Sequence, residues 1–169
     1  PATGVSAELI QKAMKVLTSP PDGFKPHPKI EAVLEARRKM AAGEQAFDWG
    51  GAEIAAFGTL VASGTRLRFS GQDVRRGTFS HRHAGLFDFN DGHCWIGLQD
   101  LAAKPEHVEI YNSPLSEVGV MAFEYGYSLD TPDGLVMWEA QFGDFANAAQ
   151  VIIDQFLASA EDKWRRLSG

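Results

Sequence analysis

The densest chemistry in the sequence lies between Arg66 and His83. Five arginines (Arg66, Arg68, Arg75, Arg76, Arg82) and two histidines stand there with Asp73 as the only acid. In an acidic chain, a basic loop leaving a strand is where a small anion would bind, because arginine presents a rigid fork to carboxylate or phosphate. The competing reading is that these arginines pair with acids elsewhere in the fold or bind a partner subunit. His81 and His83 are two residues apart and would share one face of a strand. Metal binding would need a third ligand, with Cys94 or Asp88 as candidates, and no spacing of a known metal site supports it. Cys94, between His93 and Trp95, reads as a small buried residue rather than a nucleophile. Glu117 falls in the first turn of an expected helix, where the helix dipole by itself favours an acid. Glu139, Gln141 and Asp144 follow an apolar run, at the strand end where open parallel sheets take ligands. Phe142 and Phe145 are either core or the wall of a site for a flat aromatic ligand.

The elements that must position these residues can be read from hydrophobic spacing. Residues 6–18 place Leu9, Ile10, Met14 and Leu17 at helical intervals with Ser6 as cap, and Ser19-Pro20-Pro21-Asp22-Gly23 ends that helix. A second helix follows Pro28, with Ile30, Val33, Leu34 and Met40 on its apolar side. Glu31, Glu35, Arg37, Arg38 and Lys39 lie on its outer side, and Gly43 ends it. Both helices, within residues 1–45, read as a solvated lead-in. From Asp48 a third helix runs through Ala62. Residues 65–70 alternate as a strand does, and 71–83 form a loop by composition. Residues 85–98 read as a hairpin turning at Asn90-Asp91-Gly92. A short strand over 107–111 precedes a helix expected to start at Ser113-Pro114. After a turn at Thr131-Pro132-Asp133-Gly134, Leu135 to Trp138 reads as a strand buried on both faces. A last helix is expected over about Phe145 to Ala160. Alternation of helix and strand from Asp48 onward predicts an α/β domain over 46–169 with a mainly parallel sheet flanked by helices.

Composition excludes several classes. The 169 residues carry 16 Lys plus Arg against 22 Asp plus Glu, a net charge of -6, which argues against general nucleic-acid binding. The single cysteine excludes an internal disulfide and a multi-thiolate zinc site. No apolar run approaches the roughly 20 residues that cross a bilayer. No signal peptide is visible at Pro1 to Glu8. A soluble, intracellular domain is expected.

Four long motifs, in order, carry a specific resemblance. They are Gly71-Gln72-Asp73-Val74-Arg75-Arg76-Gly77-Thr78-Phe79-Ser80-His81-Arg82-His83-Ala84, Tyr111-Asn112-Ser113-Pro114-Leu115-Ser116-Glu117, Phe123-Glu124-Tyr125-Gly126-Tyr127, and Trp138-Glu139-Ala140-Gln141-Phe142-Gly143-Asp144-Phe145-Ala146-Asn147. Together they closely resemble the E1 components of 2-oxoglutarate dehydrogenases, and the likeness continues through Val151 to Phe156 and on to Lys163-Trp164. Gly85 to Leu98 departs from the family pattern, with His93-Cys94-Trp95-Ile96-Gly97 where an aromatic, proline-bearing stretch is commoner.

The resemblance implies an enzyme that decarboxylates 2-oxoglutarate with thiamine diphosphate and passes the succinyl group to a lipoyl-bearing E2 succinyltransferase. The matched region corresponds to the domain holding the cofactor's aminopyrimidine ring, incomplete at the C-terminus. The domain that binds diphosphate and magnesium would lie elsewhere in the E1 subunit, with a homodimer mate, so the chain alone is expected to be inactive. Glu117 matches the acid that hydrogen-bonds N1′ of the aminopyrimidine and so activates the cofactor's own amine as a base. Leu115, Gln141 and Phe145 fall at positions implied to hold the ring. His81, Arg82 and His83 are implied candidates for the substrate's distal carboxylate. The resemblance fits bacterial cytoplasm or mitochondrial matrix. It leaves open a non-catalytic or regulatory domain of the same fold, or an E1 for another 2-oxo acid.

Overall fold

Residues 3–166 are described by a computed structural model. In chain order the elements are α1 (Ala7–Leu17), α2 (Pro28–Ala42), α3 (Trp49–Ala62), β1 (Leu67–Gly71), β2 (Leu86–Phe87), β3 (Cys94–Trp95), α4 (Gly97–Leu101), β4 (Val108–Asn112), α5 (Glu117–Leu129), β5 (Leu135–Glu139), α6 (Gln150–Ile152) and α7 (Ala160–Trp164). They fall into two compact units. One takes the chain up to Gly64 and from Arg75 to Val108; the other takes Thr65 to Val74 and the chain from Glu109 onward.

The first unit is mostly helical. Ser6 caps α1 by accepting from the Leu9 amide at 3.2 Å, and Asp48 caps α3 by accepting from the Gly51 amide at 2.7 Å. Pro28 opens α2, where its missing N–H removes no helical bond. α1 packs on α2, α3 and α4, burying Ala13, Met14 and Leu17. Its approach to α3 depends on Gly58, where a Cβ would come within 2.8 Å of Leu17 Cδ1. The solvated lead-in expected for residues 1–45 does not account for this burial. The apolar stripe of α1 finds a small-residue surface on α3 to pack against. A second cluster joins Leu34, Leu86 and Trp95 with Phe24 and Ile30, and covers the antiparallel β2–β3 hairpin.

The second unit is α/β. Its sheet has the order β4-β1-β5, with β1 and β5 parallel from Leu67 opposite Leu135 to Gly71 opposite Glu139. α5 packs on both of these strands. Three local expectations need correction here. The helix after β4 starts at Glu117 with Ser116 as cap, because the Ser113 hydroxyl accepts from the Leu115 amide (3.2 Å) and holds a turn instead. β5 is half-buried along its length rather than buried on both faces, since it ends the strand order among the described residues. The expected helix over 145–160 is a succession of 3-10 turns (Gly143–Ala149), α6, a π turn (Ile153–Leu157) and α7. Ala149 and Ile152 pack with Met121 and Trp138, while Val151, Phe156 and Leu157 stay exposed. Without a continuously covered apolar face, little holds a regular helix together. The expected cut at Ser168-Gly169 lies outside the described residues.

Candidate functional site

At the carboxyl ends of β1 and β5 the second unit has a narrow cleft. Gly71, Gln72, Ser113, Leu115, Glu117, Val120, Trp138, Glu139, Ala140 and Gln141 line it. The edge is the one at which open α/β sheets bind ligands. Gly71 is required there: its φ is +141°, and a Cβ would collide with the Glu139 carbonyl oxygen. The Gly71 carbonyl accepts from the Ser113 amide at 2.8 Å, which ties the start of the Ser113–Ser116 turn to the end of β1. That turn delivers Glu117 as the first residue of α5, half-buried on the cleft wall. Among the described residues no hydrogen bond or ion pair reaches its carboxylate.

Of the residues named from sequence, Leu115, Glu117 and Gln141 come together on this cleft. Phe145 does not line it. Its ring packs edge-on against Phe142 at 6.0 Å, just beyond β5, and both rings are exposed.

The charged neighbours of Glu117 on its own helix are handled differently. Glu124, buried on α5, receives two bonds from Arg68 of β1, Nε to Oε2 at 2.6 Å and Nη2 to Oε1 at 2.9 Å. Arg68 Nη1 donates to Glu109 of β4 at 3.0 Å, and the Tyr127 hydroxyl donates to the same carboxylate at 2.8 Å. The rings of Tyr111, Phe123 and Tyr127 surround the guanidinium at 5.3, 5.3 and 4.5 Å. Burial by itself would lower the Arg68 pKa, but the bonds and charges of Glu124 and Glu109 outweigh it and raise it.

His81, Arg82 and His83 lie in the first unit, on a loop held from two sides. Arg82 is 0 % exposed, and its Nε and Nη2 donate to Glu53 of α3 at 2.8 and 3.0 Å. Arg37 of α2, itself buried, donates through Nη2 to the carbonyls of His81 (2.9 Å) and Arg82 (2.7 Å). Desolvation lowers the Arg37 pKa, although Asp48 and Glu53 oppose the shift. The charged run over residues 31–39 predicts Arg37 on the outer side of its helix, and its burial here corrects that expectation. His81 Nε2 lies 3.3 Å from Arg82 Nη2, and its Nδ1 is buried without a partner. Gly77, at φ +82°, lets the ring in: a Cβ there would lie 2.5 Å from His81 Cε1. His83, at φ +50°, places Nε2 2.9 Å from the Ser80 carbonyl. Burial pulls the His83 pKa below its ordinary value. Arg37, Arg76 and His81 pull the same way, against the Ser80 hydrogen bond. So Arg68 and Arg82, two members of the basic run, follow the pairing reading rather than the anion-binding one.

Residues 45–169 match the family model described as "Transketolase, pyrimidine binding domain". The chain belongs to this family. Within it, the chain is 51 % identical over 167 residues to "2-oxoglutarate dehydrogenase, mitochondrial" of Saccharomyces cerevisiae, covering 99 % of this chain and 16 % of that protein. It is 49 % identical over 172 residues to the Dictyostelium discoideum protein of the same name, covering 99 % of this chain and 17 % of that one. It is also 48 % identical over 167 residues to the "2-oxoglutarate dehydrogenase E1 component" of Rickettsia conorii, covering 99 % and 18 %. The chain therefore spans less than a fifth of the length of these relatives. The α/β architecture expected from sequence, with helices flanking a sheet that contains the parallel β1–β5 pair, is the one this pyrimidine-binding domain displays. No helix among the described residues is long and apolar enough to cross a membrane.

Sequence reasoning did not name Gly71, Arg68, Glu124, Glu109, Arg37 or Glu53 as members of these constellations. For Glu124 a signal existed. An acid seven residues after Glu117 falls on the same helical face as the apolar Val120 and Met121, and a charge on an apolar stripe needs a partner.

Proposed function

We propose that the chain is the aminopyrimidine-holding part of a 2-oxoglutarate dehydrogenase E1, in which Glu117 is the acid that meets N1′ of thiamine diphosphate. The observation that carries this reading is the state of Glu117. It is half-buried on a cleft at the strand carboxyl ends and has no partner among the described residues, while Glu124 and Glu109 are both paired. A carboxylate on a cleft wall with no protein partner is free to accept from a ligand donor, and a protonated ring nitrogen is such a donor. The lining offers groups of the right kind for a flat ring, with Leu115 and Val120 as apolar wall and Gln141 as an amide, and the narrow cleft must widen to take one. Phe145 would add an aromatic face only by moving toward the cleft. When bound, thiamine diphosphate supplies the carbon nucleophile and electron sink that oxo-acid decarboxylation requires.

Glu117 holds a proton between its carboxylate and N1′ and fixes the orientation of the ring. His81 and His83 are the side chains proposed to meet the substrate's distal carboxylate, His81 by turning from Glu53, 3.9 Å from its Nε2, and His83 through the ring nitrogen that does not face Ser80. Arg82, whose fork faces Glu53, acts by holding the loop that carries them. Magnesium and the diphosphate fall to the remainder of the E1 subunit and its homodimer mate, and the succinyl group goes to a lipoyl-bearing E2. Relatives bearing mitochondrial names and a bacterial relative fit either matrix or bacterial cytoplasm.

Glu117→Gln in the complete enzyme tests the reading. Exchange of the C2 proton of bound cofactor, followed by NMR, should slow by roughly 10²–10⁴-fold, the usual share of a positioned acid or base. Far-UV circular dichroism should be unchanged. Exchange at the wild-type rate would overturn the assignment of Glu117.

A further inference from the structure

We infer that Arg68 is a positioning residue for Glu117: by gripping Glu124 two turns along α5, it sets the rotation of the helix and hence the direction in which the Glu117 carboxylate faces the cleft. The inference rests on the proposed role of Glu117.

Seven residues separate Glu117 from Glu124. On an α-helix that is about 10 Å along the axis and a return to nearly the same face, since two turns take about 7.2 residues. Val120, Met121, Glu124, Tyr125 and Ser128 are the buried residues of α5, and Glu117 continues their stripe toward the cleft. Rotation of α5 about its axis therefore moves Glu117 and Glu124 together. Apolar burial is non-directional and proportional to area, so by itself it favours no one orientation of a carboxylate on the helix. A bidentate guanidinium–carboxylate pair is directional, since both of its bonds require one planar arrangement.

At the start of α5 the restraint is of the backbone: the Ser113 amide ties the entering turn to Gly71 of β1, while the Ser116 side chain makes no capping bond. That tie fixes where the helix begins, and the side-chain grip on Glu124 fixes how it is turned. The grip is fixed at its base. Arg68 sits on β1, its third donor is held by Glu109 of β4, and Tyr127 in turn holds Glu109. The rings of Tyr111, Phe123 and Tyr127 pack around the guanidinium. An apolar replacement could pack as tightly and be as stable. It would not define the rotation of α5, and that is the feature a role in stability alone leaves unexplained.

The test uses Arg68→Lys, Arg68→Met, Glu124→Gln and Glu117→Gln in the complete thiamine enzyme. Three quantities are read: the melting temperature, the affinity for thiamine diphosphate with magnesium, and the C2-proton exchange rate at saturating cofactor without substrate. Arg68→Met strands Glu124 and is the variant at risk of not folding. Arg68→Lys and Glu124→Gln each keep a hydrogen bond and carry the test in that case. Positioning predicts exchange slowed about ten- to a hundredfold in folded, cofactor-saturated Arg68 variants, the scale of a misplacement near 1 Å. Glu124→Gln should fall between them and wild type. Lower melting temperatures with wild-type exchange in the saturated variants would overturn the inference while leaving Glu117 in place. Wild-type exchange in Glu117→Gln would remove the reading on which it rests.

Discussion

Arg82→Met separates two roles for the most buried arginine of the chain. The Arg82 guanidinium is 0 % exposed, and its two bonds to Glu53 are 2.8 and 3.0 Å long. Methionine keeps much of the volume and removes the charge, which leaves Glu53 with only the longer contact to His81 Nε2 at 3.9 Å and the field of Arg37. Breaking a buried pair from one side costs about 3–5 kcal/mol. The Glu53 side chain retains 20 % exposure, so water can partly replace the lost bonds and the lower figure applies. About 3 kcal/mol corresponds to a fall in Tm of roughly 6–12 °C for a protein of this size. Removing both charges in Arg82→Met with Glu53→Leu should cost less than the sum of the single changes, because the stranded charge goes with its partner. Thermal unfolding followed by circular dichroism reads all three variants. In the complete enzyme, KM for 2-oxoglutarate should change little wherever Arg82→Met is folded. An unchanged Tm together with a tenfold or larger rise in KM would refute the argument and return Arg82 to the substrate.

Two further perturbations address the loop and the cleft. The His83 pKa is held below its ordinary value by burial and by nearby cations, so the folded state binds fewer protons than the unfolded one. The resulting stability is present above the unfolded pKa of about 6.5 and is lost as pH falls through the lower folded value. His83→Asn should therefore flatten the decline of Tm below pH 6.5 (roughly, from the same reference value), and a decline as steep as wild type would count against it. Gly71→Ala should destabilise by about 1–3 kcal/mol, because a Cβ meets the Glu139 carbonyl at a φ of +141°. Gly126→Ala, within α5 and with open space at its Cβ, should instead stabilise by about 0.5–1 kcal/mol. Urea unfolding distinguishes the two, and equal effects of either sign would contradict this reading of the local space.

Local signals carried much of the fold. The cap at Ser6, the helix opening at Asp48, Pro28 at the start of α2, the Asn90-Asp91-Gly92 turn and the alternation over 65–70 act within a few residues, and each corresponds to a feature of the structure. The misplacements share another cause. Ser113-Pro114 has the composition of a helix start, but the Ser113 hydroxyl is taken by the Leu115 amide, a choice that composition leaves open. Arg37 lies in a charged run, yet two carbonyls of a loop 44 and 45 residues away draw it inward. The stretch after Phe145 has helical spacing, but regularity depends on a covering surface, and Val151, Phe156 and Leu157 remain exposed. For the cleft, Leu115, Glu117 and Gln141 were legible through family motifs. Gly71 belongs to the first of those motifs, but its collision with Glu139 exists only once β1 and β5 are paired.

The basic run and the lone acid exchange their apparent importance once distant partners are in place. Between Arg66 and His83 the sequence offers a concentration of positive charge and suggests an anion site. Arg68 reaches Glu124 across 56 positions, and Arg82 reaches Glu53 across 29. Each pairing neutralises a cation of the run and takes up a glutamate otherwise open to chemistry. Glu117 is the glutamate of α5 that these pairings leave out, and it stands where two parallel strands end. A carboxylate on a cleft wall with no protein partner among the described residues is free to meet a hydrogen-bond donor from a ligand. The two-turn spacing to Glu124 explains how the same helix holds a paired acid for rigidity and an unpaired one for chemistry.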